Sequence, residues 1–181
     1  MIKKFCNWLL CKRLGWKIDV NVELPQKCVI CLAPHTSNWD FIYSMLYKFA
    51  TGINSNFLMK KEWFFWPLGP VFRKLGGIPV YRDKKTSMTD NLADAAVKAS
   101  SFRISITPEG TRKANSQWKR GFYYIALKAG IPILLYGLDY ERKLIYCHRS
   151  FVPTGDVERD MLEIKDYFKD FKGKKPEQFA Y

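Results

Sequence analysis

Residues 28–40 read Cys-Val-Ile-Cys-Leu-Ala-Pro-His-Thr-Ser-Asn-Trp-Asp. The first seven form a short apolar run closed by Pro34, the pattern of a buried strand. Asn38 suits a helix N-cap. Beyond it Ile42, Met45, Leu46, Phe49 and Ala50 recur at helical spacing, which predicts a helix from about Asn38 to Ala50. A buried strand thus feeds a helix through the short polar turn His35 to Asp40.

The same alternation continues outward. Residues 53–60 read as a weaker strand and 77–82, Gly-Ile-Pro-Val-Tyr-Arg, as another. Ser87 with Asp90 resembles a capping box for a helix to about Ser101. A strand is expected at 102–107, then a helix from about Lys119 to Ala129 that stops at Gly130. Residues 132–139 and 143–151 read as a paired hairpin. A last helix carries Val157, Met161, Ile164, Phe168 and Phe171 on one apolar face. Alternating strands and helices mean an α/β fold: one domain over 1–181, with a largely parallel mixed sheet flanked by helices. Residues 1–16 are expected to form an amphipathic helix and 173–181 to fray. In such sheets ligands gather beyond the carboxyl ends of the strands. Three polar clusters fall there: His35 to Asp40, Arg82 with Lys84, and Glu109 to Arg112.

Composition narrows the partners. The 181 residues include 30 basic against 17 acidic ones, a net charge of +13, with 48% apolar and 16% aromatic residues. That excludes a disordered chain and predicts an anionic partner: nucleic acid, an acidic membrane or a phosphorylated substrate. The sequence has no run of about 18 apolar residues, so a transmembrane helix is not expected. The opening Met-Ile-Lys-Lys-Phe-Cys-Asn-Trp-Leu-Leu-Cys-Lys-Arg-Leu-Gly-Trp is broken by Lys12 and Arg13, and no small-residue cleavage site follows. A cytoplasmic protein is expected, with this helix lying on the inner face of a membrane. Five cysteines are an odd number, which disfavours a secreted disulfide framework.

His is suited to general-base work near neutral pH, and such a base needs a partner on its other ring nitrogen. Five positions apart on one helix, His35 and Asp40 would point roughly 140° apart. They meet only if His35 lies in the turn and Asp40 in the first helical turn, where the predicted boundary puts them. Asp in a first turn also favours the helix dipole without any catalysis. In Thr107-Pro108-Glu109-Gly110-Thr111-Arg112, Pro108 ends a strand and Gly110 permits close backbone approach. Thr111 and Arg112 offer donors suited to phosphate, and Glu109 could orient Arg112 or another donor. The bland alternative is a Pro-Gly turn with a solvated Glu/Arg pair. Arg82 would reach the same rim and complete a clamp, or be ordinary surface charge.

Other signals carry less. Cys28-x-x-Cys31 has metal or redox spacing, but no second Cys pair follows and both fall in a buried strand, so no metal is expected. Ser37 lacks a nucleophile elbow, and no Walker or dinucleotide glycine pattern occurs. The stretch 60–74 sets Trp63, Phe64, Phe65 and Trp66 among Lys60, Lys61, Arg73 and Lys74. Aromatics with basic neighbours favour a membrane interface, and with Phe5, Trp8, Leu9, Leu10 and Trp16 they would make two anchors. A loop buried on the core is the alternative for this stretch.

Taken together, these residues resemble the glycerolipid acyltransferase family, which contains the lysophosphatidic acid acyltransferases. His35 and Asp40 match its His-x4-Asp motif. Gly76, Ile78 and Arg82 match its second motif, Pro108 to Arg112 its Pro-Glu-Gly-Thr-Arg motif, and Ile131-Pro132-Ile133 its fourth, all in the family's order. Leu135 stands where a second proline is usual, and Thr107 where an aromatic residue is common. The resemblance implies acyl transfer from acyl-CoA or acyl carrier protein to the hydroxyl of a lysophospholipid, 1-acyl-glycerol-3-phosphate foremost, in phospholipid biosynthesis. It implies His35 as base, Asp40 as its partner, and Arg82 with Glu109, Gly110, Thr111 and Arg112 on the acceptor phosphate. It implies Trp63 to Trp66 on the membrane or acyl chain, and neither a cofactor nor a metal. The partners are then the lysolipid, the acyl donor and an anionic membrane, with no nucleic acid. Two rivals compete with this reading. One is a nucleic-acid-binding module using the basic and aromatic residues; the other is a non-catalytic peripheral membrane protein.

Overall fold

The computed structural model describes residues 1–81 and 88–181. Its strands are β1 (Lys17–Val20), β2 (Lys27–Ala33), β3 (Asn56–Lys60), β4 (Gly77–Val80), β5 (Phe102–Ile106), β6 (Ile133–Asp139), β7 (Leu144–Cys147) and β8 (Ser150–Phe151). Its helices are α1 (Ile2–Asn7), running on as π-helical turns over Trp8–Arg13, then α2 (Trp39–Thr51), α3 (Leu68–Lys74), α4 (Met88–Lys98), α5 (Gly121–Ala129) and α6 (Val157–Phe168). The strands make one sheet in the order β1-β7-β6-β2-β5-β3-β4, with β8 also beside β6. β6 meets β7 and β8 antiparallel, and the remaining pairings are parallel. The domain is therefore α/β with a largely parallel mixed sheet, as the alternation predicts.

Burial on both faces explains why the central strands read as continuous apolar runs. Along β2, Val29, Cys31 and Ala33 enter one core with Phe122 and Ile125 of α5 and Met161, Ile164 and Phe168 of α6. Cys28 and Ile30 enter the other, with Leu10, Trp16 and Tyr47 of α2. Cys28 and Cys31 thus face opposite sides of the sheet and share no site. All five cysteines are free thiols.

Several local expectations change. β1 pairs with β7 as an extra parallel edge strand that the alternation does not single out. On α2 the buried positions are Asp40, Tyr47 and Ala50, while Ile42 is exposed. Leu10 and Trp16 of the N-terminal segment belong to the core, which leaves Ile2, Phe5 and Trp8 outside. Ser87 of the capping box lies outside the described residues.

The tail 173–181 does not fray. Its backbone takes hydrogen bonds that fix it to the domain. The Lys175 N–H donates to Thr36 Oγ1 at 3.2 Å, and Trp118 Nε1–H donates to the Ala180 carbonyl at 2.9 Å. Phe171 lies beyond the end of α6 yet stays buried, its ring over Gly137. No helix among the described residues is long and apolar enough to cross a membrane.

Candidate active site

The register of two neighbouring strands builds the site. β2 and β5 run parallel with Cys31 opposite Ile106. Four residues beyond Cys31 and three beyond Ile106, the turns at His35 and Glu109 therefore leave the same edge side by side. Neither Pro34 nor Pro108 has an N–H for the next ladder hydrogen bond, so both strands end before them. The sequence then starts α2 within five residues, so Asp40 sits in its first turn beneath His35.

His35 Nδ1 lies 3.1 Å from Asp40 Oδ2. The same oxygen accepts the backbone N–H of Thr36 at 2.8 Å and of Ser37 at 2.9 Å. Asp40 is 1% exposed and His35 21%, so the carboxylate is sealed while the ring stays open to solvent. Two backbone N–H groups and the imidazole thus converge on one oxygen of Asp40. An Nδ1–H tautomer of His35 would donate to that oxygen and turn Nε2 away from Asp40. This nitrogen has no partner among the described residues.

Glu109 is placed otherwise than expected. It is 1% exposed, and its Oε1 accepts the His35 backbone N–H at 2.6 Å. Burial pushes its carboxyl up to about 8, the His35 N–H pulls it down, and Asp40 adds to the rise. The carboxyl lies under the turn and holds the His35 backbone through Oε1. Gly110, at φ +64°, takes the left-handed turn that a side chain would resist. Arg112 comes back towards α2, where its Nη1 donates to Asn38 Oδ1. Arg112 and His35 therefore flank the same helix start. Thr111 Oγ1 accepts the Lys113 N–H at 3.3 Å, which shapes the turn between them. Arg82 and Lys84 lie outside the described residues.

The sequence matches the Acyltransferase family model over residues 17–135, which includes both turns. The chain belongs to that family. Among solved structures it is similar to the crystal structure of the 1-acyl-sn-glycerophosphate (LPA) acyltransferase PlsC from Thermotoga maritima. The TM-score is 0.63 at 20% identity, over 93% of this chain and 75% of that one. At that identity the likeness is one of fold. Comparison with curated protein sequences gives no match.

Two features of this acyltransferase-family chain escape sequence reasoning. Tyr140, just beyond β6, donates its hydroxyl to Asp40 Oδ1 at 2.5 Å. The segment 171–175 lies against the His35 turn. There Gly173 fits where a Cβ would come within 2.6 Å of Thr36 Oγ1, and Lys174 Nζ stands 4.4 Å from the Trp39 ring. No local pattern announces either contact; Tyr140 and Asp40 are 100 positions apart. The aromatic stretch leaves the sheet at the carboxyl end of β3, the same edge as His35. Trp63, Phe65 and Trp66 are exposed, Trp66 at 84%. Phe64 turns inward instead, 6.1 Å from the Phe72 ring. Two surface hollows, one beside Thr89 and Tyr124 and one beside Lys48 and Arg73, do not reach His35.

Proposed function

We propose that the chain is an O-acyltransferase that moves a fatty acyl group from a coenzyme A or acyl carrier protein thioester to a lysophospholipid hydroxyl. The foremost acceptor is 1-acyl-glycerol-3-phosphate, and the setting is phospholipid biosynthesis. The observation that carries this reading is the 3.1 Å contact between His35 Nδ1 and Asp40, with Arg112 on the same helix start, in a chain of the acyltransferase family.

His35 Nε2 takes the proton of the acceptor hydroxyl as its oxygen attacks the thioester carbonyl. Asp40 stabilises the imidazolium formed. The tetrahedral intermediate collapses, the C–S bond breaks, and the imidazolium returns the proton to the leaving thiolate. The acyl donor is a substrate, and no further cofactor enters the scheme. Arg112, with Thr111, the Gly110 backbone and Arg82, holds the acceptor's phosphate. Glu109 is left out of that cradle.

Exposed Phe65 and Trp66 beside Lys60 and Lys61 suit the interface of an anionic bilayer. The enzyme then works as a peripheral protein on the inner, cytoplasmic face. This reading assigns the excess positive charge to lipid head groups and not to nucleic acid.

The test is transfer from acyl-CoA and acyl-carrier-protein donors across a lysolipid panel, with products read by mass spectrometry. His35→Ala is expected to lower kcat by about 10²–10⁴-fold with the fold intact, the scale of a lost general base. Arg112→Ala is expected to raise the acceptor KM chiefly. Near-normal transfer by His35→Ala would overturn the assignment.

A further inference from the structure

We infer that Tyr140 is a positioning residue for the His35–Asp40 pair, held in register by the segment 171–175. The inference rests on the reading of that pair as the catalytic base and its partner. It concerns a residue outside the four motifs and beyond the region that matches the family model.

Asp40 has two oxygens with different duties. Oδ2 receives the Thr36 and Ser37 amides and faces His35 Nδ1. Oδ1 receives the Tyr140 hydroxyl at 2.5 Å. The carboxylate is sealed from solvent, so no bulk water can substitute for a lost donor there. Its rotation about the Cβ–Cγ bond is thereby fixed at both ends, and Oδ2 is held towards the imidazole.

The tyrosine is itself gripped. Its ring meets Trp16 edge-on at 5.1 Å and Tyr43 edge-on at 5.7 Å. Its backbone N–H donates to the Lys172 carbonyl at 2.8 Å, and three residues later the Lys175 N–H reaches Thr36 in the His35 turn. The segment thus ties Tyr140 and the turn to one another. Burial and the neighbouring Asp40 both push the phenol's pKa far up, so it stays a donor at any working pH.

The electrostatic consequence has a definite sign. A donor on Oδ1 draws charge away from Oδ2 and weakens the pull of Asp40 on an imidazolium. Removing it leaves more of the negative charge on Oδ2, which favours the protonated imidazole. Among the described residues, the other ionisable groups facing the pair are Glu109 and Arg112 from the turn after β5, Tyr43 from α2 and Lys174 from the segment 171–175. None of these donates a hydrogen bond to Asp40.

The chain has two histidines, so His35 can be followed by NMR with His148 as internal control. His148 stands on the β1–β7 edge, 2.6 Å from Asp19. In Tyr140→Phe the His35 midpoint is expected to rise while His148 stays put. In the transfer assay kcat falls about tenfold, the scale of one hydrogen bond to a charged group, with both KM values unchanged. The acidic limb of kcat/KM moves up in step. Replacing Tyr140 by 3-fluorotyrosine, a stronger donor, moves the midpoint and the limb down. A purely structural tyrosine would alter thermal stability and leave both where they are. An unmoved His35 midpoint in Tyr140→Phe overturns the inference whatever the activity. If His35→Ala retains transfer while Tyr140→Phe does shift the midpoint, the coupling stands and the catalytic reading falls.

Discussion

Glu109 and Arg112 stand three positions apart in one turn, yet one is sealed under His35 and the other reaches Asn38 at the surface. The carboxyl of Glu109 titrates near 8 in the folded chain, against 4.5 for an ordinary glutamate. Between those values the folded chain keeps a proton that the unfolded chain has released. The stabilising contribution is complete below about 4.5 and is lost as pH rises through about 8. Glu109→Gln keeps an acceptor for the His35 N–H and removes the titration. Its melting temperature is expected to fall less between pH 5 and pH 8 than that of the parent chain. Glu109→Ala leaves a buried N–H without a partner, at a cost of about 1–3 kcal/mol in denaturant unfolding. Spacing in the sequence brings His35 to Asp40 because both depend on one strand end and one helix start, and the parallel neighbour β5 delivers Arg112 to the same edge. It does not show that Glu109 is buried on the His35 N–H, because residue type does not tell which way a side chain turns from a loop. It misses Tyr140 because that partner comes from the end of the neighbouring strand β6, 100 positions away.

Elements follow the same division between local and distant causes. β2 and β6 are legible because continuous apolar runs fit strands buried on both faces, and α5 because Gly130 ends it in a left-handed turn at φ +62°. β1 is not, because four half-exposed residues, Lys17 to Val20, owe their conformation to β7 and not to their own pattern. On α2, Ile42 and Phe49 suggest a buried stripe, but the helix turns Asp40, Tyr47 and Ala50 inward. The need to bury the Asp40 end against Tyr140 and the Tyr47 end against Tyr136 sets that rotation. Gly137 in β6 is a second positional demand that composition hides. A Cβ there would overlap the Phe171 ring, so Gly137→Ala must displace the residue that opens the 171–175 segment. The expected cost is about 1–3 kcal/mol, seen as a lowered midpoint in denaturant titration.

For the whole molecule, the proposed membrane role rests on the charge of +13 and the exposed aromatics. Trp66 and Phe65 leave the sheet at the edge that carries His35, and under that proposal an acceptor from a bilayer enters there. The double substitution Phe65→Ser with Trp66→Ser is expected to weaken binding to anionic vesicles about tenfold or more in co-sedimentation. Turnover of a short-chain, water-soluble acceptor should hardly change. Added salt should weaken vesicle binding by the parent chain, since exposed charges are screened beyond about 10 Å at 0.1 M. Thr36 and Lys175, which meet beside the base, are 139 positions apart. During synthesis His35 therefore leaves the ribosome long before the backbone that braces its turn has been made. A nascent chain that has not yet reached Lys175 carries His35 and Asp40 without this brace.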